Sequence, residues 1–260
     1  MQQKLAAVTG HGRIAEGIRE PVVQYILNMG KKRIVVLTGA GVSAESGIST
    51  FRDSGGLWEN HDIMDVATPE AWARNMDLVL DFYNQRRKQL YEVKPNAAHY
   101  ALVELESKYD VQIITQNVDD LHEQAGSSNV LHLHGELKKV RSTLDENLVH
   151  TLEGWELKRG DTCELGSQLR PHIVWFGEPV PMIPAAAALC AKADILVIIG
   201  TSLNVYPAAG LVGYVPEGTP VYLIDPGQLG VSHIPYLTLI REKAGAGTPR
   251  LVAELLSAVH

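Results

Sequence analysis

Four short runs of apolar, mostly β-branched residues, at positions 33–38, 111–115, 195–199 and 221–224, show no polar alternation and are bounded by Gly, Pro or Asn. A strand with one wet face alternates polar and apolar side chains, so runs without alternation suit parallel strands covered on both sides. Helical spacing fills the intervals, at 43–47, 69–91, 97–107, 184–192 and 249–259, and several of these segments open on Pro or a capping residue. Strand and helix alternate, which predicts an α/β fold built on an open sheet. The polar stretch 138–170 interrupts the alternation, with Gly154, Gly160 and Gly166 and no strong period, and is expected to be an inserted small subdomain. A second insertion is expected over 51–89, where a loop and a long helix delay the next strand.

Composition narrows the partners. A chain of 260 residues suffices for one large domain carrying a small insertion. With 45% hydrophobic and 20% charged residues, it has no apolar run near the roughly 18 residues a membrane span needs. Residues 1–30 lack a charged head followed by an apolar stretch, so a cytoplasmic location and no membrane partner are expected. Cys163 and Cys190 lie far apart, which argues against a disulfide framework and cannot supply a four-cysteine zinc site. A net charge of −7 disfavours nonspecific nucleic-acid binding, which needs clustered Lys and Arg. The densest basic spot, Arg86, Arg87 and Lys88, reads by itself as a solvated helix face.

The run ending at Thr38 leads into Gly39-Ala40-Gly41-Val42-Ser43-Ala44, a strand-glycine-helix pattern suited to a pyrophosphate. Gly39 permits a tight turn, Gly41 lets backbone approach phosphates, and Ala44 allows close packing of a following helix at its positive end. The acidic residue expected about 20 positions on is not convincingly placed, which disfavours a dehydrogenase. A second turn, Gly200-Thr201-Ser202, and Asp225 stand at the ends of two further strand runs, where ribose hydroxyls could be held. A third run ends in Gln116-Asn117-Val118-Asp119-Asp120. Asn117 and Asp119 suit a carboxamide ligand, although a capped turn into a helix explains the same residues. Downstream, alternation puts His132 and His134 on one face if the segment is extended, Gly135 leaves room beside His134, and imidazole suits general-base work near neutral pH.

In order and spacing over residues 31–256 these segments resemble the sirtuins. The residues that carry the likeness are Gly39-Ala40-Gly41-Val42-Ser43 with Gly47-Ile48 and Phe51-Arg52, then Thr115-Gln116-Asn117-Val118-Asp119, His132-Leu133-His134-Gly135, Val174-Trp175-Phe176-Gly177-Glu178 and Gly200-Thr201-Ser202-Leu203. The resemblance implies a Rossmann-like, doubly wound parallel sheet over 31–50, 90–137 and 171–260, small-domain insertions over 51–89 and 138–170, and an N-terminal extension over 1–30. It implies an NAD-dependent deacylase, most simply a monomer, acting on acyl-lysine protein substrates. Gly39, Ala40, Gly41, Gly200, Thr201, Ser202 and Asp225 would hold NAD, with Phe51 and Arg52 on a closing loop and Gln116, Asn117 and Asp119 around nicotinamide and its ribose. His134 would be the general base, with Asn117 and Asp119 beside it. Val174, Trp175, Phe176, Gly177 and Glu178 would bind substrate, the first three forming an acyl tunnel and pairing with the peptide backbone. In the implied reaction the acyl oxygen displaces nicotinamide to give an alkylimidate, a ribose hydroxyl attacks that intermediate with the help of His134, and water then releases lysine and O-acyl-ADP-ribose.

Two departures sharpen the expectation. Most sirtuins hold a structural zinc in the region matching 138–170, whereas this chain offers only Cys163 and His150 there, so zinc is not expected. Tyr83 and Arg86, three apart on a helix, resemble the subgroup that removes succinyl and malonyl as well as acetyl groups. Two other readings stay open at this point: an NAD glycohydrolase or ADP-ribosyltransferase, and a non-catalytic NAD or ADP-ribose-binding module.

Overall fold

The structure is a computed structural model that describes residues 30–48, 57–58, 61–227, 230 and 234–258. Residues 1–29 of the expected N-terminal extension, and Phe51 and Arg52, lie outside the described residues. In chain order the strands are β1 (Arg33–Thr38), β2 (Leu57–Trp58), β3 (His61–Asp62), β4 (Asp110–Thr115), β5 (Val130–His132), β6 (Gly135–Ser142), β7 (Val149–Thr151), β8 (Leu169–Ile173), β9 (Ile195–Ile199), β10 (Val221–Ile224) and β11 (Leu237–Ile240). The helices are α1 (Ile63–Val66), α2 (Pro69–Arg74), α3 (Met76–Gln89), α4 (Ala97–Leu105), α5 (Leu121–Ala125), α6 (Ile183–Cys190) and α7 (Ala244–Ser257).

Along β1, Ile34 and Val36 enter one core while Val35 and Leu37 enter another; along β9, Val197 and Ile199 pair with the first core and Leu196 and Ile198 with the second. A two-residue period with both faces apolar demands a layer on each side. Helices α4 and α7 cover one face, and α6 with the 3₁₀ segment Ala208–Tyr214 covers the other. The parallel sheet runs β11-β10-β9-β1-β4-β5. The chain moves outward from β1 through β4 to β5 and then returns to β9 on the opposite flank of β1. The carboxyl ends of β1 and β9 therefore frame a topological switch point, the place where such sheets take ligands.

A separate antiparallel sheet, β7-β6-β8, occupies the stretch expected to be irregular, and its pairing extends from Gly135 to Ile173. Leu137 and Val140 turn inward from it while Lys138, Lys139 and Arg141 are taken up in ion pairs, which gives the segment its polar look. Arg87 ties this sheet to α3. Fully buried, it donates to the carbonyls of Leu137 and Trp155 and to Asn84 Oδ1, while Asn84 exchanges two bonds with the backbone of Leu157. Arg86 is buried as well, so the solvated-face reading holds only for Lys88 of the basic trio.

Three helix expectations need correction. The span 69–91 is two helices, because the Asn75 side chain accepts from Leu78 N–H and caps a new start. The span 43–47 forms 3₁₀ turns, Ala40–Val42 and Ala44–Ser46, stopped at Gly47 with φ +93°, where Asn96 Nδ2 also binds the Val42 carbonyl. The last helix starts at Ala244, ahead of Pro249: Gly245 N–H donates to Glu45, and Gly247 lets the helix lie against Ile224 and Ile240. Those tertiary contacts outweigh the weak helix preference of the glycines.

Candidate active site

Two glycine turns cross at the switch point. Gly39 N–H donates to the Ile199 carbonyl at 3.0 Å and Gly41 N–H to the Gly200 carbonyl at 2.9 Å. A Cβ on Gly41 would stand 2.6 Å from Gly200 Cα, and one on Gly200, whose φ is +62°, would stand 2.4 Å from Val42 N. Contacts that short admit only glycine. The N–H groups of Gly39 and Gly41 are thus engaged within the chain, and the missing side chains let the two loops cross. The segments that begin there are short 3₁₀ turns, Ala40–Val42 and Ala44–Ser46, in place of the expected α-helix.

Above this crossing lies a cleft of about 860 Å³. Gly39, Ala40, Gly41, Gly200, Thr201 and Ser202 line one end, with Asp225 beside them. Asp225 is buried and accepts from Gly227 N–H. Gln116, Asn117, Asp119 and His134 line the middle, and Tyr83, Arg86, Val174, Trp175, Phe176, Gly177 and Glu178 line the far end. Every predicted site residue among those described therefore meets in one cavity. The reading from sequence missed Ser43, which organises the polar wall: its hydroxyl donates to Asp119 Oδ2 and accepts from Asn117 Nδ2. It also missed Lys243 and Ala244 from the start of α7 and the apolar floor of Ile48, Ile63 and Leu137. Position 43 stands in the glycine motif, so a hydroxyl one turn from the crossing was the available signal.

The two histidines differ in state. His134 Nδ1 lies 3.0 Å from the Gln116 carbonyl, which only accepts, so Nδ1 carries the hydrogen and Nε2 the lone pair. Burial holds the His134 pKa below its ordinary value, against the pull of that carbonyl. His132 sits between two acceptors, the Asn117 carbonyl at 3.1 Å and Glu123 Oε1 at 2.7 Å. Burial disfavours its charge, yet the Glu123 carboxylate outweighs burial and raises its pKa. The surroundings thereby favour the neutral form of His134 and the charged form of His132. Asp119 is buried, which raises its carboxyl pKa despite bonds from Leu121 N–H and Ser43. Gln116 joins the parts: its carbonyl orients His134, its amide donates to Thr201 Oγ1, and its N–H donates to the Thr38 carbonyl.

At the far end Trp175 is 2% exposed and Phe176 46% exposed, so one ring is wall and the other is mouth. Val174 N–H donates to the His134 carbonyl and Phe176 N–H to the Ala67 carbonyl. Trp175 Nε1 donates to the Tyr83 hydroxyl at 3.0 Å. The Glu178 carboxylate is held by Arg170, Arg141 and Trp175 N–H. In the small sheet, Cys163 donates to Ser142 Oγ at 3.3 Å, and Ser142 and Thr143 share hydrogen bonds with Ser167 Oγ. Among the described residues no group of three His, Cys, Asp or Glu side chains gathers. One thiol among hydroxyls does not fit a structural zinc ion.

A family model described as the Sir2 family matches residues 39–207. The chain is 56% identical over 232 residues to an NAD-dependent protein deacylase of Bacteroides thetaiotaomicron, covering 87% of this chain and 99% of that protein. It is 60% identical over 195 residues to an NAD-dependent protein deacylase of Helicobacter pylori, covering 75% and 83%. A crystal structure of a Sir2 homolog–NAD complex matches with a TM-score of 0.80 at 38% identity, over 96% of this chain and 98% of the other.

Proposed function

The chain belongs to the Sir2 family, and from that membership and its own cleft we infer that it is an NAD-dependent protein deacylase. Its substrates are acylated lysines on proteins, and its products are nicotinamide, free lysine and O-acyl-ADP-ribose. The observation that carries this reading is the neutral, oriented His134 at the middle of a cleft, with a glycine cradle at one end and an aromatic passage at the other. NAD supplies an electrophilic ribose carbon once nicotinamide departs. His134 Nε2 takes the proton of the attacking ribose hydroxyl, and the Gln116 carbonyl steadies the imidazolium that results. Asn117 and Asp119, locked through Ser43, offer amide and carboxylate to the nicotinamide side, and Ala40, Thr201, Ser202 and Asp225 hold phosphates and ribose. Phe51 and Arg52 are assigned to the cofactor as well, on the strength of the family motif alone. A bare glycohydrolase needs no passage for an acyl chain, so the walls at Val174, Trp175 and Phe176 favour the deacylase.

The acyl groups we propose are acidic ones, succinyl and malonyl, alongside acetyl. Tyr83 and Arg86 both line the passage from one face of α3. Burial raises the Tyr83 pKa, so the phenol keeps its hydrogen to donate to a carboxylate, with a guanidinium beside it. Mass spectrometry of products from NAD and a panel of acylated peptides tests reaction and preference together. Arg86→Met is expected to lower kcat/KM for succinyl-lysine relative to acetyl-lysine by about 10- to 100-fold, the scale of a lost charged hydrogen bond. An unchanged ratio removes the acyl assignment.

We also take residues 51–89 and 138–170 as small-domain insertions whose sheet is closed by the Ser142, Thr143, Cys163 and Ser167 contacts instead of by zinc. Chelator is expected to leave the melting temperature unmoved. One tightly held zinc per chain in metal analysis would contradict this.

A further inference from the structure

Trp175 is a partition. It lines the main cleft on one side, and on the other it lines a second cavity of about 560 Å³ bounded by Pro69, Trp72, Arg141 and Arg170. Glu178 lines both. Trp175 is itself buried, and its indole packs against the rings of Trp72 and Tyr83. Polar contacts add a second constraint to that packing.

Polar contacts of this wall converge on one carboxylate. Arg170 donates from Nη1 to Glu178 Oε1 at 2.6 Å and from Nη2 to Oε2 at 3.1 Å, and Arg141 Nη2 reaches Oε2 at 3.3 Å. The same Oε2 accepts from Trp175 N–H at 2.8 Å, and Arg170 Nη2 also bonds the Ile173 carbonyl at 3.0 Å. The Arg170 guanidinium lies flat enough on the indole for its Cζ to sit 3.4 Å from the ring centroid. The other edge of the indole donates to Tyr83. A chain of contacts therefore runs from two arginines through a glutamate and an indole to the phenol of the passage. One carboxylate between two guanidiniums also leaves a positive charge near that passage.

We propose that Arg170, Glu178 and Arg141 form a positioning clamp that fixes the Trp175 partition, and with it the bore of the acyl passage and the aim of Tyr83. The proposal rests on the deacylase reading, and in its last clause on the role given to Tyr83 and Arg86. Without the clamp the indole and the backbone of 173–178 can shift toward the second cavity, which disturbs peptide binding while leaving the glycine cradle alone.

The test is steady-state kinetics on Arg170→Met, Glu178→Gln and Arg170→Lys, with acetyl and succinyl peptides and with NAD varied separately. Arg170→Met is expected to raise KM for both peptides about tenfold or more while KM for NAD stays within about twofold, because uniform binding appears in KM. Arg170→Lys is expected to rescue little, since an ammonium neither stacks nor forks. Should Arg170→Met fold poorly, Glu178→Gln, which keeps an acceptor for Trp175 N–H, is expected to show the same split. Unchanged peptide KM in both variants overturns the clamp, as does a parallel loss in NAD and peptide parameters. Arg86→Met run alongside separates the two ideas: an unmoved acyl preference there sinks the carboxylate role, while the clamp is still judged by peptide KM.

Discussion

His134→Ala is expected to bind NAD as before while deacylation falls about 10²- to 10⁴-fold, the usual contribution of a positioned general base. Binding survives because the cradle at Gly39, Gly41 and Gly200 is held by backbone bonds that do not involve the imidazole. Calorimetric titration of NAD beside single-turnover deacylation separates the two, and full activity in the variant rejects the assignment. The wild-type pH profile carries a second check. Burial keeps the His134 pKa below 6.5, so the base is neutral at pH 7 and kcat/KM declines only as pH falls through that lowered value. His132, with its raised pKa, would instead give an acid limb above 6.5. A limb on the high side would therefore name the wrong histidine.

The largest loss of stability is expected at Gly135. Its φ is +84°, and a Cβ there would fall 2.0 Å from the His172 carbonyl oxygen, inside the pairing of β6 with β8. Strained backbone and a clash with main chain add, so Gly135→Ala is expected to cost about 3 kcal/mol or more and to displace the adjoining His134. Gly154 supplies the control, since it has φ +80° with open space around its Cβ position. Gly154→Ala is expected to cost only about 1 kcal/mol. Denaturant midpoints for the pair measure the difference; equal losses would mean that the clash at His172 is relieved by small shifts.

The large sheet was legible because its strands are dry on both faces, which leaves runs such as 195–199 with no polar residue to confuse them. The site was legible for a related reason: its motifs sit at strand ends, so their order along the chain fixes their place on one sheet edge. What escaped depends on partners distant in sequence. The strand β6 looked polar because Lys138, Lys139 and Arg141 find Asp120, Glu136 and Glu178. Arg87 looked like a surface base because its partners are carbonyls of residues 137 and 155, which no side-chain pattern announces. The partners of the Glu178 carboxylate, Arg141 and Arg170, come from the polar insertion, so the motif around Glu178 did not announce them. The start of α7 was hidden because glycines form that turn only against Ile224, Ile240 and Glu45.

Gln116 has a consequence for anyone re-engineering this protein. One residue sets the tilt of the proton acceptor with its carbonyl and the posture of a hydroxyl in the dinucleotide cradle with its amide. Cofactor affinity and proton abstraction therefore share a hinge pin, and tuning either one independently has to begin at another position.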